Sequence, residues 1–301
     1  MSASPETEGA GAHAELDVDA LLSGESGIVA GRRARLRARI GDVLDDAALA
    51  LRLVPPRLDR TSARAGANGS VLVLGIYSAN YAGYMERAAG ELLRSRRRVE
   101  LVLGALDEPS ASLARHTALS RLRGGGKFEN LNALLAQTGE RQARWTFVVD
   151  DDVELPRGFL DRFLFLAERF ELTLAQPALR RTSHAAWSVC RRERGSVVRL
   201  VRMVEIGPLV AFERSVAGDL LPFPPLRMGW GLDLHWGGLA LERGWRLGIV
   251  DAVPIRHEAR ETASGYDRAA AIEELRGFLR GRPHIDRRTA LEVVERHAGW
   301  A

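Results

Sequence analysis

Three consecutive aspartates, Asp150, Asp151 and Asp152, follow a short apolar run from Phe147 to Val149. Aromatic and β-branched residues suit a buried strand, so the carboxylates are expected at its carboxyl end. Crowded carboxylates repel one another and cost stability unless a cation sits among them. Asp150 and Asp152, two apart, share one side if the extended backbone continues. This spacing suits the holding of a divalent cation, with a polar turn before Pro156 as the plain alternative.

A second group lies upstream. Gly124, Gly125 and Gly126 precede Lys127, the only lysine among 43 basic residues. An arginine bias follows genome composition, and a lysine standing against it supplies a compact, flexible ammonium. Glycines let backbone approach a ligand, and the N-terminus of the helix that follows favours phosphate. The spacing is not that of the nucleoside-triphosphatase loop, and a flexible turn before a helix also accounts for it. The third group is a proline- and glycine-rich loop from Phe223 that runs into a helix near Asp233. A carboxylate there serves either as a helix N-cap or as a base.

The elements that position these groups begin with strand Val71–Tyr77, a helix over 82–95 and strand Val99–Gly104. Strand, helix and strand in about 35 residues predict a parallel βαβ unit. Ligands of such sheets sit beyond the carboxyl strand ends. Tyr77, Ser78, Asp107, Glu108 and the three aspartates all fall there. Further strands are expected at 172–177, 197–206, 207–212 and 245–250. An irregular arginine-rich stretch is expected at 180–194. Helices are expected at 158–170, from Asp233 onward, at 269–279 and at 289–297.

Residues 1–30 carry six carboxylates and no lysine or arginine, which predicts a disordered acidic tail with a short helix near Asp17–Leu22. Residues 31–70 read as an arginine-rich helix ended by Pro55 and Pro56, then a linker from Thr61 to Ser70. Such a helix either offers a solvated face or makes peripheral membrane contact. Residues 71–260 form the main domain, and 261–301 two C-terminal helices packed on it. With 46% hydrophobic and 27% charged residues the chain should bury a large core and stay in solution. One cysteine, Cys190, excludes an intramolecular disulfide. No apolar run approaches the roughly 20 residues of a membrane span, and no signal peptide is legible, so a cytoplasmic location is expected. The net charge of +4 is spread along the chain, which argues against nucleic acid as partner.

In chain order, Gly126 and Lys127 with Leu131, Asn132 and Ala133, then Val148 to Val153, then Gly229 to Asp233, then His257 form an ordered set. With this set the core resembles nucleotide-sugar-dependent glycosyltransferases of the GT-A fold, closest to the family-2 type. Three parts resemble that family's glycine-lysine and "LNA" helix, its "DxD" motif, and its "GW…ED" loop with Leu232 in place of the first acid. His257 resembles the histidine that completes metal binding in many such enzymes. The resemblance implies an α/β, Rossmann-like GT-A fold, with a mixed, mostly parallel sheet flanked by helices. It implies Mn²⁺ or Mg²⁺ on Asp150, Asp152 and His257. It also implies donor contacts from Tyr77, Ser78, Asp107, Glu108, Lys127, Asn132, Asp150 and Asp151. Acceptor contacts would come from Glu205, Trp230 and Gly231, and Asp233 would be the general base of an inverting transfer. The donor would be a nucleoside-diphosphate sugar and the acceptor a hydroxyl of a carbohydrate or other molecule. A "QxxRW" motif is missing, which argues against a processive synthase. A nucleotidyltransferase on the same fold and a non-catalytic nucleotide-sugar or carbohydrate-binding protein are the alternatives. A haloacid-dehalogenase-type phosphohydrolase is disfavoured, because Glu154 stands where its pattern needs Thr or Val.

Overall fold

The computed structural model describes residues 16–23, 29, 31–138, 143–257 and 267–300. Helices α1 (Arg32–Leu51) and α2 (Val54–Arg64) precede β1 (Ser70–Tyr77), α3 (Ala82–Leu92) and β2 (Arg98–Ala105). Next come β3 (Thr117–Leu119), α4 (Lys127–Thr138), β4 (Trp145–Asp150), β5 (Val153–Glu154), α5 (Phe159–Arg169) and β6 (Leu174–Leu179). The second half runs β7 (Val198–Val201), β8 (Leu209–Glu213), α6 (Arg214–Leu220), α7 (Leu232–Arg243) and β9 (Leu247–His257). It closes with α8 (Arg268–Leu279), α9 (Arg287–Ala290) and β10 (Val293–His297).

The strands lie in the order β10-β7-β9-β6-β8-β4-β1-β2-β3, with β5 paired to the end of β9. Val71 to Leu74 and Phe147 to Val149 are buried on both faces, as expected of interior strands under helices. The α/β class and the mixed sheet are as expected. Parallel pairing is less extensive than expected. It joins β1 to β2 and β4, β2 to β3, and β6 to β9, while the other pairings are antiparallel. The main cause is β8, which enters between β4 and β6 from the opposite end.

Three local expectations change. Pro55 and Pro56 do not end α1 but open α2, where a missing N–H costs no helical hydrogen bond. Helix therefore continues to Arg64, into the expected linker. The expected last helix is instead β10, which pairs antiparallel with β7. Val293 and Val294 are β-branched, and an open sheet edge stood available to them. Within the expected tail, Val18–Ala20 form one 3₁₀ turn capped by Asp17, and Leu21 joins the core. Residues 1–15, 24–28 and 30 of that tail and the 260/261 boundary lie outside the described residues.

The arginine-rich stretch at 180–194 is irregular, yet it is tied to α1. Asp42 accepts hydrogen bonds from the Arg181 and Thr182 amides at 2.7 and 3.3 Å. Asp45, wholly buried, accepts from Arg181 Nε at 2.6 Å and Arg194 Nε at 2.7 Å. Asp46 pairs with Arg180 and Arg192. Three acids spaced i, i+3 and i+4 on one helix face thus neutralise four arginines.

Candidate functional site

Register sets the rim. Ile76 of β1 lies opposite Asp150 of β4, and Tyr77 opposite Ala105 of β2, so the three strands end together. On the other side of β4, the Asp150 amide donates to Pro208 O, which brings Ile206 and Gly207 to the same edge. Strand β5 then pairs with the end of β9, placing Val153 opposite His257. Residues far apart in sequence therefore meet around the aspartate turn.

Each aspartate has its own partner. The Asp150 carboxylate faces Lys127 Nζ at 2.7 Å, and that ammonium also reaches Ile206 O at 3.4 Å. Asp151 turns inward and accepts from the Ser78 amide at 2.8 Å and its hydroxyl at 3.3 Å. Asp152, buried, lies 3.2 Å from His257 Nε2. A turn begins at Asp151, so the two-residue alternation that would align Asp150 with Asp152 does not apply. Burial opposes the charged imidazole of His257. The hydrogen bond that His257 donates to Asp152 and the charges of Asp152, Asp150 and Glu205 outweigh it, and its pKa is raised. Lys127, the His257 ring and backbone N–H thus relieve the carboxylate crowding within the protein itself.

Behind the turn lies a second acidic pair. Glu205 accepts from the Trp187 amide at 2.7 Å, and Asp233 accepts from Trp187 Nε1 at 3.0 Å, so one tryptophan links both carboxylates. Both are buried. Burial pushes Glu205 up to about 7, helped by the charge of Asp233 and opposed by the Trp187 amide and His257. Burial likewise pushes Asp233 up to about 6, against hydrogen bonds from the Leu234 amide and Trp187. Asp233 is not the N-cap of α7. Gly231 holds that place, in the left-handed region at φ 92°, and Asp233 sits one step inside the first turn. A buried carboxylate with a pKa near neutrality suits proton transfer.

Other expected site residues take different positions. Tyr77 is wholly buried, and its hydroxyl bonds to Thr117 Oγ1 at 2.9 Å and accepts from the Ser110 amide. It fixes the rim rather than facing a ligand. Asp107 is held by Arg123 and by the Ala79 amide, which keep its carboxyl below the ordinary range. Glu108 makes an exposed pair with Arg121. Asn132 donates to Phe223 O and accepts from the Phe223 amide, both at 2.8 Å. It therefore fastens the 223–231 loop to α4. Trp230 is half-buried on the core. The first amides of α4 are engaged as well, Gly126 with Glu129 and Lys127 with Arg227 O. Those two amides, expected at a phosphate-favouring helix start, are thus already hydrogen-bonded within the protein.

Several residues were not legible as site residues. Gly207 is one, since a Cβ there would stand 2.8 Å from Asp150 Oδ2 and 2.9 Å from Lys127 Nζ. The Gly207 and Pro208 pair at a strand start was the available signal. Glu274 of α8 accepts from the amides of Arg227, Met228 and Gly229 and so fixes the loop before Asp233. Gln176, wholly buried, accepts from the Glu205 amide at 2.5 Å. Only the fold joins these to the site.

Among the described residues no group of three His, Cys, Asp or Glu side chains is gathered as for a metal ion. Of the three expected ligands, Asp152 and His257 are in contact, and the charge of Asp150 bears on His257. Two carboxylates and one imidazole fit a hard or borderline divalent cation. Binding would require Asp150 to leave Lys127 and His257 to lose any proton.

No protein-family model and no curated protein matches this sequence. Solved structures do. GalNAc-T7 with UDP, GalNAc and Mn²⁺ is 12% identical with a TM-score of 0.48, over 64% of this chain and 43% of that one. Staphylococcus aureus TarS with UDP-GlcNAc is 12% identical at 0.48, over 69% of this chain and 64% of that one. The mannosyltransferase PcManGT from Pyrobaculum calidifontis with GDP-Man and Mn²⁺ is 16% identical at 0.47, over 72% and 68%. The chain thus spans less than two thirds of the first two.

Proposed function

We propose that this chain is a nucleotide-sugar-dependent glycosyltransferase of the GT-A type, which moves a sugar onto an acceptor hydroxyl with inversion. The observation that carries the reading is the aspartate turn at the end of β4. Lys127 stands on one side of it, His257 on the other, and two high-pKa carboxylates lie behind. A sugar leaving its nucleoside diphosphate loads negative charge onto the diphosphate. Lys127 is the compact cation available to meet it, once donor phosphate competes with Asp150 for the ammonium. Asp150, Asp152 and His257 are the residues that would hold Mn²⁺ or Mg²⁺, whose charge would stabilise the leaving group as a Lewis acid. The imidazole tilts that set towards Mn²⁺.

On the acceptor side, Asp233 takes the hydroxyl proton as the acceptor oxygen attacks the anomeric carbon and the bond to the diphosphate breaks. A base with a pKa near 6 is ionised at neutral pH yet retains appreciable proton affinity. Trp187 orients that carboxylate through its indole N–H, and Glu205 shares the same tryptophan. Ser78 and Gly207 line the rim where the donor would sit.

A thermal-shift panel of nucleoside diphosphates and nucleotide sugars, with and without Mn²⁺, tests the reading. A true donor at 100 times its dissociation constant should stabilise the fold by about 2.7 kcal/mol. Stabilisation by nucleoside triphosphates alone would move the assignment to nucleotidyl transfer. Tight donor binding without turnover would leave a binding protein.

A further inference from the structure

Helix α1 is amphipathic in the reverse sense to a core helix. Its inward face carries Gly41, Asp42, Asp45 and Leu49, all buried, with Asp42 and Asp45 bonded to the 180–194 stretch. Its outward face carries Leu36, Ile40, Val43, Leu44 and Leu51, and Leu53 follows just beyond its end. Leu36 is 59% exposed, Val43 66% and Leu51 86%. At 100° per residue these side chains form one stripe opposite the docked face. Of the nine large apolar side chains that are exposed among the described residues, six belong to this stripe and its end. Core packing does not explain them, since they touch water and not the core.

The first turns of α1 add charge of one sign. Arg32, Arg33, Arg35, Arg37 and Arg39 are exposed, and no acid lies between Arg32 and Ile40. By the same helical geometry Arg32 and Arg39 flank the stripe on one side and Arg37 on the other, while Arg33 stands in line with the stripe at its N-terminal end. Beside it Arg37, Ile40 and Leu44 share a cleft of about 500 Å³ with Arg181, Arg191 and Arg194. The acids of α1, Asp42, Asp45 and Asp46, are engaged with arginines of the 180–194 stretch and do not neutralise this face.

We propose that α1 is an interfacial helix that seats the protein on an anionic lipid bilayer, with the stripe in the acyl boundary and the arginines among headgroup phosphates. An apolar strip bordered by cations is the pattern such helices use. A second copy of the chain fits less well, because a two-fold pairing of the stripes would set arginine against arginine. No helix among the described residues is long and apolar enough to cross a membrane, so the seat lies on the surface. The seat and the candidate site share one segment. Asp42 holds residues 181 and 182, and Ser183 Oγ then accepts from the His257 amide at 3.0 Å. The inference does not rest on the glycosyl-transfer reading.

The test is flotation of the full chain with two kinds of vesicle, phosphatidylcholine alone and phosphatidylcholine mixed with phosphatidylglycerol. Binding to the anionic vesicles is expected, weakening as salt rises, with little binding to the neutral ones. Replacing Arg32, Arg33 and Arg39 by serine should lower anionic-vesicle affinity on the order of a hundredfold. A second variant, Leu36→Ser with Ile40→Ser and Val43→Ser, should lower it at least tenfold. These residues are exposed, so both variants should melt like the parent. Three outcomes overturn the proposal. One is no binding by the parent; another is equal binding by parent and both variants. The third is a parent dimer in light scattering that the stripe variant alone abolishes, which would assign the face to a second copy.

Discussion

At the scale of single residues, the aspartate triplet, Lys127, Ser78 and His257 were each legible as candidates, whereas which of them meets which aspartate was not. Lys127, Ser78 and His257 reach Asp150, Asp151 and Asp152 across 23 to 105 positions of chain, and only strand register brings them together. Asp233 was singled out correctly as a carboxylate near a helix start, but its neighbour through Trp187, Glu205, carried no local pattern. Two predictions belong here. Asp233→Asn keeps an oxygen for Trp187 or the Leu234 amide, so stability should change by no more than about 1 kcal/mol. Asparagine accepts no proton, so turnover should fall roughly 10²–10⁴-fold while donor binding survives. Turnover at the parent rate would send the base assignment to Glu205. Glu205→Gln probes the same pocket through pH. The folded Glu205 pKa is raised from 4.5 to about 7, so between those values the folded state binds more protons than the unfolded one. Its contribution to stability is therefore present at low pH and lost as pH rises through about 7. Urea melts should show the variant gaining on the parent as pH rises from 5 to 8, by a few kcal/mol at most. A pH-independent difference would mean that Glu205 is ionised throughout.

At the scale of elements, the first half of the chain was legible because its strands are continuous apolar runs and its helices follow apolar spacing. Strands β1, β2 and β4 and helices α3, α4 and α5 lie close to where the sequence put them. The failures share one cause. Where tertiary pairing decides, local propensity misleads: β10 exists because β7 offered an edge, and α2 begins at the prolines expected to stop a helix. The docking of α1 was hidden for the same reason, because Asp42, Asp45 and Asp46 meet arginines some 134 to 149 positions away. Asp45→Ala would remove two of those ion pairs. Its arginine partners are partly exposed and can rehydrate, which lowers the cost below that of a fully buried pair. A loss of about 2 kcal/mol in chemical denaturation is expected, and a change below about 0.5 kcal/mol would show that α1 is held by other contacts.

At the scale of the whole molecule, the two halves of the sheet converge on one rim, and the N-terminal region is part of that architecture. Val18 and Leu21 are buried, so a truncation that removes residues 1–23 should cost about 2 kcal/mol and a few degrees in melting temperature. An unchanged melting curve would mean that this turn adds nothing to the core. Metal affinity should follow proton affinity. His257 has a raised pKa, and a bound cation needs the neutral ring, so Mn²⁺ affinity should climb with pH until that ring is deprotonated. Calorimetry at several pH values would show proton release on binding, and a flat profile would remove His257 from the ligand set.

In the function proposed above, the aspartate turn would hold the diphosphate end of a nucleotide sugar together with a divalent cation. Titration calorimetry of UDP and GDP in the presence of Mn²⁺ tests it most directly, on the parent, on Asp152→Asn and on His257→Ala. The parent should bind at least one of the two nucleotides. Both variants, folded as the parent by circular dichroism, should lose at least a hundredfold in affinity. Binding of equal strength by all three proteins, or none by the parent, would contradict it.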